Sequence, residues 1–147
     1  MSTLTVRCTL QPTVEQVEIL SKTVDAFTHA CNDILAVAKE HDTFNKYQLQ
    51  KLCYQEIRVK HGLSANLAIR ALARVGKRKG KRTAKFQASS VDYDQRTLSL
   101  DMKSSIEQVS LSTLEGRQRI NLKLGNYQRH FAQQSPKRAR WSSCAWC

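Results

Sequence analysis

A change of hydrophobic period at Lys85 divides this chain into two kinds of structure. Before it, apolar residues recur every three or four positions, the spacing of one helical face. After it they alternate, the spacing of a half-buried strand. The combination predicts an α+β chain: a helical section, then antiparallel strands joined by tight turns.

The helical section opens after a short strand. Leu4, Val6, Cys8 and Leu10 alternate with Thr5, Arg7 and Thr9, and Pro12 ends the run. Thr13 with Gln16 forms a capping-box start. Val17, Leu20, Val24, Phe27, Cys31, Ile34 and Ala38 then trace the core stripe of a long helix reaching about Glu40. His29 and His41 fall outside that stripe and read as surface histidines, because no second ligand stands at metal spacing. After a polar break, Tyr47 through His61 forms a second helix, with Leu49, Leu52, Cys53 and Ile57 facing inward and Gly62 as its stop. Ser64 caps a third, whose stripe is Leu67, Ala68, Ala71, Leu72 and Val75. Three helices on short loops bury their stripes most easily as an antiparallel bundle.

Beyond Lys85, Phe86, Val91 and Tyr93 precede a turn at Asp94–Gln95–Arg96, and Leu98 and Leu100 alternate after it. Ile106, Val109, Leu111 and Leu114 lead to a hairpin turn at Glu115–Gly116, and Ile120, Leu122 and Leu124 alternate again. The opening strand is too short to be stable alone, so this β section is its natural partner. The helices then stand as an insertion after the first strand of a β domain.

Charge narrows the partner. The 147 residues hold 24 Lys+Arg against 12 Asp+Glu, a formal +12. Such an excess favours an acidic partner, nucleic acid ahead of an anionic membrane surface. The excess peaks at the end of the third helix. Arg70, Arg74 and Lys77 lie off its apolar stripe, and Arg78, Lys79, Lys81, Arg82 and Lys85 follow. No Asp or Glu occurs between Glu56 and Asp92, so nothing nearby in sequence neutralises them. Arg96, Arg117 and Arg119, at or beside the hairpin turns, add possible phosphate contacts. Tyr47, Tyr54 and Tyr93 are candidates for stacking on bases, Tyr54 being more core-like beside Leu52 and Cys53. Cys8, Cys31 and Cys53 sit singly in apolar patterns, where a small buried thiol is the default, and that usage fits a reducing cytoplasm. The N-terminus lacks the apolar core of a signal peptide, and no stretch reaches transmembrane length.

Several phrases, in order, resemble one family: LTVRCTLQPTVEQVEIL, FTHACNDI, FNKYQLQKLCYQEIR, HGLSANLAIRALARV, VDYDQRTLSL and VSLSTLEGRQRINLKLGNYQR. Together they are similar to the N-terminal half of the TnpB/OrfB proteins of bacterial insertion sequences, RNA-guided DNA endonucleases long described as transposases. The resemblance implies a wedge domain, an oligonucleotide-binding-like antiparallel β-barrel, at residues 1–10 and 84–131. A three-helix recognition insertion would occupy 11–83, and 132–147 would be a disordered tail. It implies guide RNA and target DNA as partners, held through backbone shape and charge. By similarity, Tyr47, Asn66 and Arg70 lie nearest the contact with a short flanking DNA motif.

The departures are as informative. Members of that family continue into a RuvC-like nuclease domain with metal-binding carboxylates and a four-cysteine zinc element. Asp92, Asp94, Asp101, Glu107 and Glu115 read instead as turn and surface residues, so the expectation is binding without catalysis and no cofactor in this chain. The divalent ions of the family would belong to the nuclease part, supplied if at all by a separate RuvC-like chain. A truncated or frame-shifted remnant is the alternative. Cys144 and Cys147 form a C-x-x-C with no second pair to complete a zinc site. Lys137, Arg138 and Arg140 beside Trp141 resemble a basic arm, or a disordered end.

Overall fold

A computed structural model of the chain describes residues 7–78, 84–87, 90–103, 105–132 and 138–142. Strand β1 (Thr9–Gln11) is followed by helices α1 (Val14–Glu40), α2 (Lys46–His61) and α3 (Ala65–Gly76). Strands β2 (Ser90–Asp94), β3 (Leu98–Asp101), β4 (Gln108–Thr113) and β5 (Gly116–Lys123) come next, then helix α4 (Asn126–Ala132) and strand β6 (Arg138–Ser142).

Each long helix starts where a side chain satisfies free backbone donors. At α1 the Gln16 amide donates to Thr13 Oγ1 at 3.2 Å while the Thr13 amide donates to Gln16 Oε1 at 3.0 Å, a complete capping box. Asn45 Oδ1 accepts from the Tyr47 and Gln48 amides to start α2, and Ser64 Oγ accepts from the Leu67 amide to start α3. Gly62 ends α2 at φ +65°, a left-handed conformation that glycine adopts without a Cβ penalty.

The three helices pack on one another, and two positions of the expected stripes fall outside the core. Val17 is 39% exposed because α1, with 27 residues, overhangs partners of 16 and 12 residues. Leu52 is 45% exposed. Leu49, Cys53 and Ile57 define the buried line of α2 at four-residue steps, and Leu52 sits one residue, about 100° of rotation, away from it.

The strands form a four-stranded antiparallel sheet, β1-β5-β4-β3, and a separate antiparallel pair, β2-β6. β1 does pair with β5, Thr9 opposite Lys123 and Gln11 opposite Asn121. The sheet is open rather than a closed barrel. The turn after Asp94 sends β2 and β3 into different sheets: Thr97 donates its amide to Asp94 O while its carbonyl accepts from Ser112 of β4. The stretch 132–147, expected to be disordered, contributes β6, whose backbone lies opposite all of β2. Leu4, Val6, Cys144 and Cys147 lie outside the described residues.

One core joins both sections. Phe27, Ile34 and Leu35 of α1, Val91 and Tyr93 of β2, and Leu111 and Ile120 of the larger sheet are buried in one cluster. Polar side chains tie the layers. Thr23 Oγ1 donates to Ile19 O and accepts from the Leu114 amide at 3.2 Å, joining α1 to the β4–β5 turn. Asn32 acts as a short piece of strand, its Oδ1 accepting from the Phe86 amide at 2.7 Å and its Nδ2 donating to Phe86 O at 3.1 Å. Ile106, read as part of an alternating run, is 55% exposed ahead of β4. Cys8 is exposed, since the described part of β1 has only Leu10 turned towards the core. Cys31 and Cys53 are buried, and burial pushes their thiols up to about 12 and about 11.

Candidate nucleic-acid interface

The cationic residues separate into three settings. In the first, arginines of α3 meet β2. Arg74 Nε donates to Asp92 Oδ2 at 2.9 Å, Nη1 to the Ser90 carbonyl at 2.8 Å and Nη2 to the Ser90 hydroxyl at 3.2 Å. Its guanidinium also lies 4.7 Å from the centre of the Phe27 ring. Arg70 approaches Asp94 at 3.9 Å, too far for a hydrogen bond from its buried Nε. Spacing makes the double match possible. Four residues of helix rise about 6 Å, and two residues of strand span nearly 7 Å, so Arg70 and Arg74 face Asp94 and Asp92 in register. The absence of acids near α3 in sequence therefore does not leave its arginines unneutralised. Asp92, expected at the surface, is a structural counter-ion.

The second setting is the loop after α3. Arg78 stacks its guanidinium 3.8 Å from the Phe86 ring centre and donates Nη1 to Ala84 O. With the Asn32–Phe86 pair, this fixes the two ends of the basic segment against α1. Lys77 and Lys85 are exposed at those ends, while Lys79, Lys81 and Arg82 lie outside the described residues. Tyr47 is nearby: it is exposed in the first turn of α2, and the adjoining Phe44–Lys46 backbone runs close to Gly76. Asn66 stands at the other end of α3, ten residues or about 15 Å along its axis, so Tyr47 and Asn66 are not brought together. Lys46 Nζ sits 5.0 Å from the Tyr47 ring centre. Tyr93 offers no stacking surface; it is buried, donates its hydroxyl to Ser112 O at 3.1 Å, and burial pushes its pKa upward. Tyr54 is half-buried against the core, under Arg58.

The third setting is the outer face of the larger sheet. On β5, Arg117, Arg119, Asn121 and Lys123 are all exposed while Ile120 and Leu122 point into the core. Opposite them on β4 lie Ser112, Ser110 and Gln108, and on β1 lie Gln11 and Thr9. Side-chain contacts confirm the shared face: Arg117 Nε donates to Ser110 Oγ at 3.1 Å and Gln108 Nε2 to Asn121 Oδ1 at 2.8 Å. Arg117 Nη1 reaches Arg96 O at 3.4 Å, bringing Arg96 to the upper end. Arg119 lies 3.8 Å from Asp101 and remains 70% exposed. The sequence shows this face as a second alternation, polar and cationic, running out of phase with the apolar one; Lys123 belongs to it although the turn-centred reading leaves it out.

Carboxylates are dispersed. Glu107 pairs with Arg129, and Asp94 caps its own turn through the Arg96 amide. Among the described residues no group of three or more His, Cys, Asp and Glu side chains is placed to hold a metal ion, and no helix is long and apolar enough to cross a membrane. Searched against family models and against curated proteins, the chain matches none.

Proposed function

We propose that this chain is a nucleic-acid-binding unit of the TnpB/OrfB type, holding guide RNA and target DNA without cleaving them. The observation that carries the reading is where the charge sits. Lys77, Lys85, Arg96, Arg117 and Arg119 are all exposed, and the ends of the basic loop are held by Arg78, Phe86 and Asn32 rather than by acids. A phosphate backbone is the polyanion such a distribution suits. The order of elements supports it too, since three helices stand between β1 and the strand that follows them. In this reading the open sheet and the β2–β6 pair are the two sides of a wedge barrel, and α1–α3 are its recognition insertion. Cleavage, with its divalent ions, is assigned to a separate RuvC-like part, and the chain works in the cytoplasm, away from membranes.

One observation favours a rival. Among the described residues, β1 and β3 leave the outer edges of the sheet unpaired, as an incomplete remnant would. The same experiment separates the two. The full chain is titrated against a structured RNA over a range of salt, beside a variant with Lys77, Lys79, Lys81, Arg82 and Lys85 changed to Gln. The expected result is a steep salt dependence whose slope falls by roughly one unit for each phosphate-contacting cation removed. An unchanged slope removes the loop from the interface, and a wild-type chain that binds no RNA leaves the remnant reading standing.

A further inference from the structure

We infer that the chain forms a two-fold symmetric dimer in which β3 of one copy pairs antiparallel with β3 of a second, joining their open sheets into one. The inference needs no nucleic acid and goes beyond the binding function proposed above. Hydrogen-bond direction along β3 carries it. The Ser112 amide donates to Thr97 O at 2.9 Å, and these residues are the next pair along the β3–β4 register. Towards β5, the Leu122 amide donates to Glu107 O at 2.9 Å. Bonding direction alternates along an antiparallel strand, so Gln108, Ser110 and Ser112 serve β3, and Asp101, Ser99 and Thr97 answer them. The N–H and C=O groups of Leu98 and Leu100 therefore point away from β4, and among the described residues no strand lies on that side.

Those groups match themselves, which is why a second copy is the occupant. With a second β3 inverted about Ser99, Leu98 meets Leu100 of the other copy and Leu100 meets its Leu98, each pair exchanging both its backbone bonds. Ser99, which is exposed, then faces its own symmetry mate at about 4.5 Å between Cα atoms. Centring the pair on Leu98 would run Leu100 into the Arg96 turn, and centring it on Leu100 would need Met102, past the end of the strand. The faces agree as well. Leu98 and Leu100 are half-buried against the core and would meet leucines, while Asp101 would lie opposite Thr97, beside the exposed Arg96, so opposite charges meet at both ends. Between Leu98 and Asp101 stands no proline, lysine or bulge of the kind that protects an edge. The β1 edge is less suited: it has three residues, Pro12 beyond it has no N–H, and the Arg7 carbonyl before it accepts from Gln128 Nε2 at 3.1 Å.

Sedimentation equilibrium on the nuclease-treated full chain tests this, in about 0.15 M salt, which screens charge beyond about 8 Å. The expected mass is twice the 16.8 kDa of one chain. Leu100→Pro removes an outward N–H and no bond to β4, and should leave a monomer. Ser99→Lys and Ser99→Glu, each setting like charges across the axis, should each weaken association about fivefold. An equimolar mixture of the two should restore it, a rescue that a folding defect cannot imitate. With Cys8, Cys144 and Cys147 changed to Ser, Ser99→Cys should give a disulfide-linked dimer under mild oxidation, because about 4.5 Å between Cα atoms lies within disulfide reach. The same background with Ser99 kept should not cross-link. A monomeric wild-type chain overturns the inference. So does a dimer that ignores the charged variants or fails to cross-link through position 99, because its contact then lies elsewhere. A monomer that binds RNA sinks the dimer and leaves the proposed function intact, and a dimer that binds no RNA does the reverse.

Discussion

Arg74 illustrates how a surface-coded residue can be used inside a protein. Its guanidinium donates three hydrogen bonds to Asp92 and Ser90 and stacks on Phe27, with both members of the ion pair largely buried. Removing one partner leaves the other charge in a poorly solvated place, which costs more than the pair itself contributes. Arg74→Met should therefore destabilise the chain by about 3 kcal/mol in urea unfolding, while Arg74→Met with Asp92→Leu recovers most of the loss. Neither should change the salt slope of RNA binding, in contrast to the exposed cations. The sequence holds half of this arrangement: two arginines four apart and two aspartates two apart are plain to see. That they meet depends on how α3 crosses β2, a relation between distant segments that no local period encodes.

At the scale of elements, α1 and α2 are joined by an ionic clasp. Asp33 Oδ2 lies 2.7 Å from His61 Nε2 and 2.9 Å from Lys60 Nζ. Burial alone would raise the Asp33 pKa, but hydrogen bonds from Lys60 and His61 outweigh it and hold the carboxyl below its ordinary value. A depressed folded-state pKa means a contribution fully present above the unfolded value, about 3.9, and lost as pH falls through the folded one. Asp33→Asn should flatten the acid limb of stability below about pH 4 and leave the limb near neutrality little changed, as measured by urea midpoints against pH. The helices themselves are legible because long stripes and caps repeat one message: Thr13, Ser64 and Gly62 mark boundaries that the structure keeps. Strand β6 is not. Its five residues, Arg-Ala-Arg-Trp-Ser, are too few for alternation to stand apart from a basic tail, and only the backbone opposite them on β2 gives them a ladder. Closure of the sheet was equally beyond local pattern, because alternation shows which side of a strand is buried but not which strands become neighbours.

For the molecule as a whole, the pairing of β1 with β5 sets an order of assembly. Thr9 waits for Lys123, whereas the contacts among α1, α2 and α3 are all made once the chain reaches Gly76. Loop closure makes such distant pairings slow relative to local ones. Pulsed hydrogen exchange during refolding should show amides of α1–α3 protected before those of β1 and β5; simultaneous protection would mean that the sheet nucleates the fold. The consequence reaches back to synthesis on the ribosome. An emerging chain would present a nearly finished helical unit, with the Arg70 and Arg74 guanidinium groups not yet met by Asp94 and Asp92. For that interval the nascent protein is more cationic towards its surroundings than the mature one, and the ribosomal RNA around the tunnel exit is the polyanion closest to it.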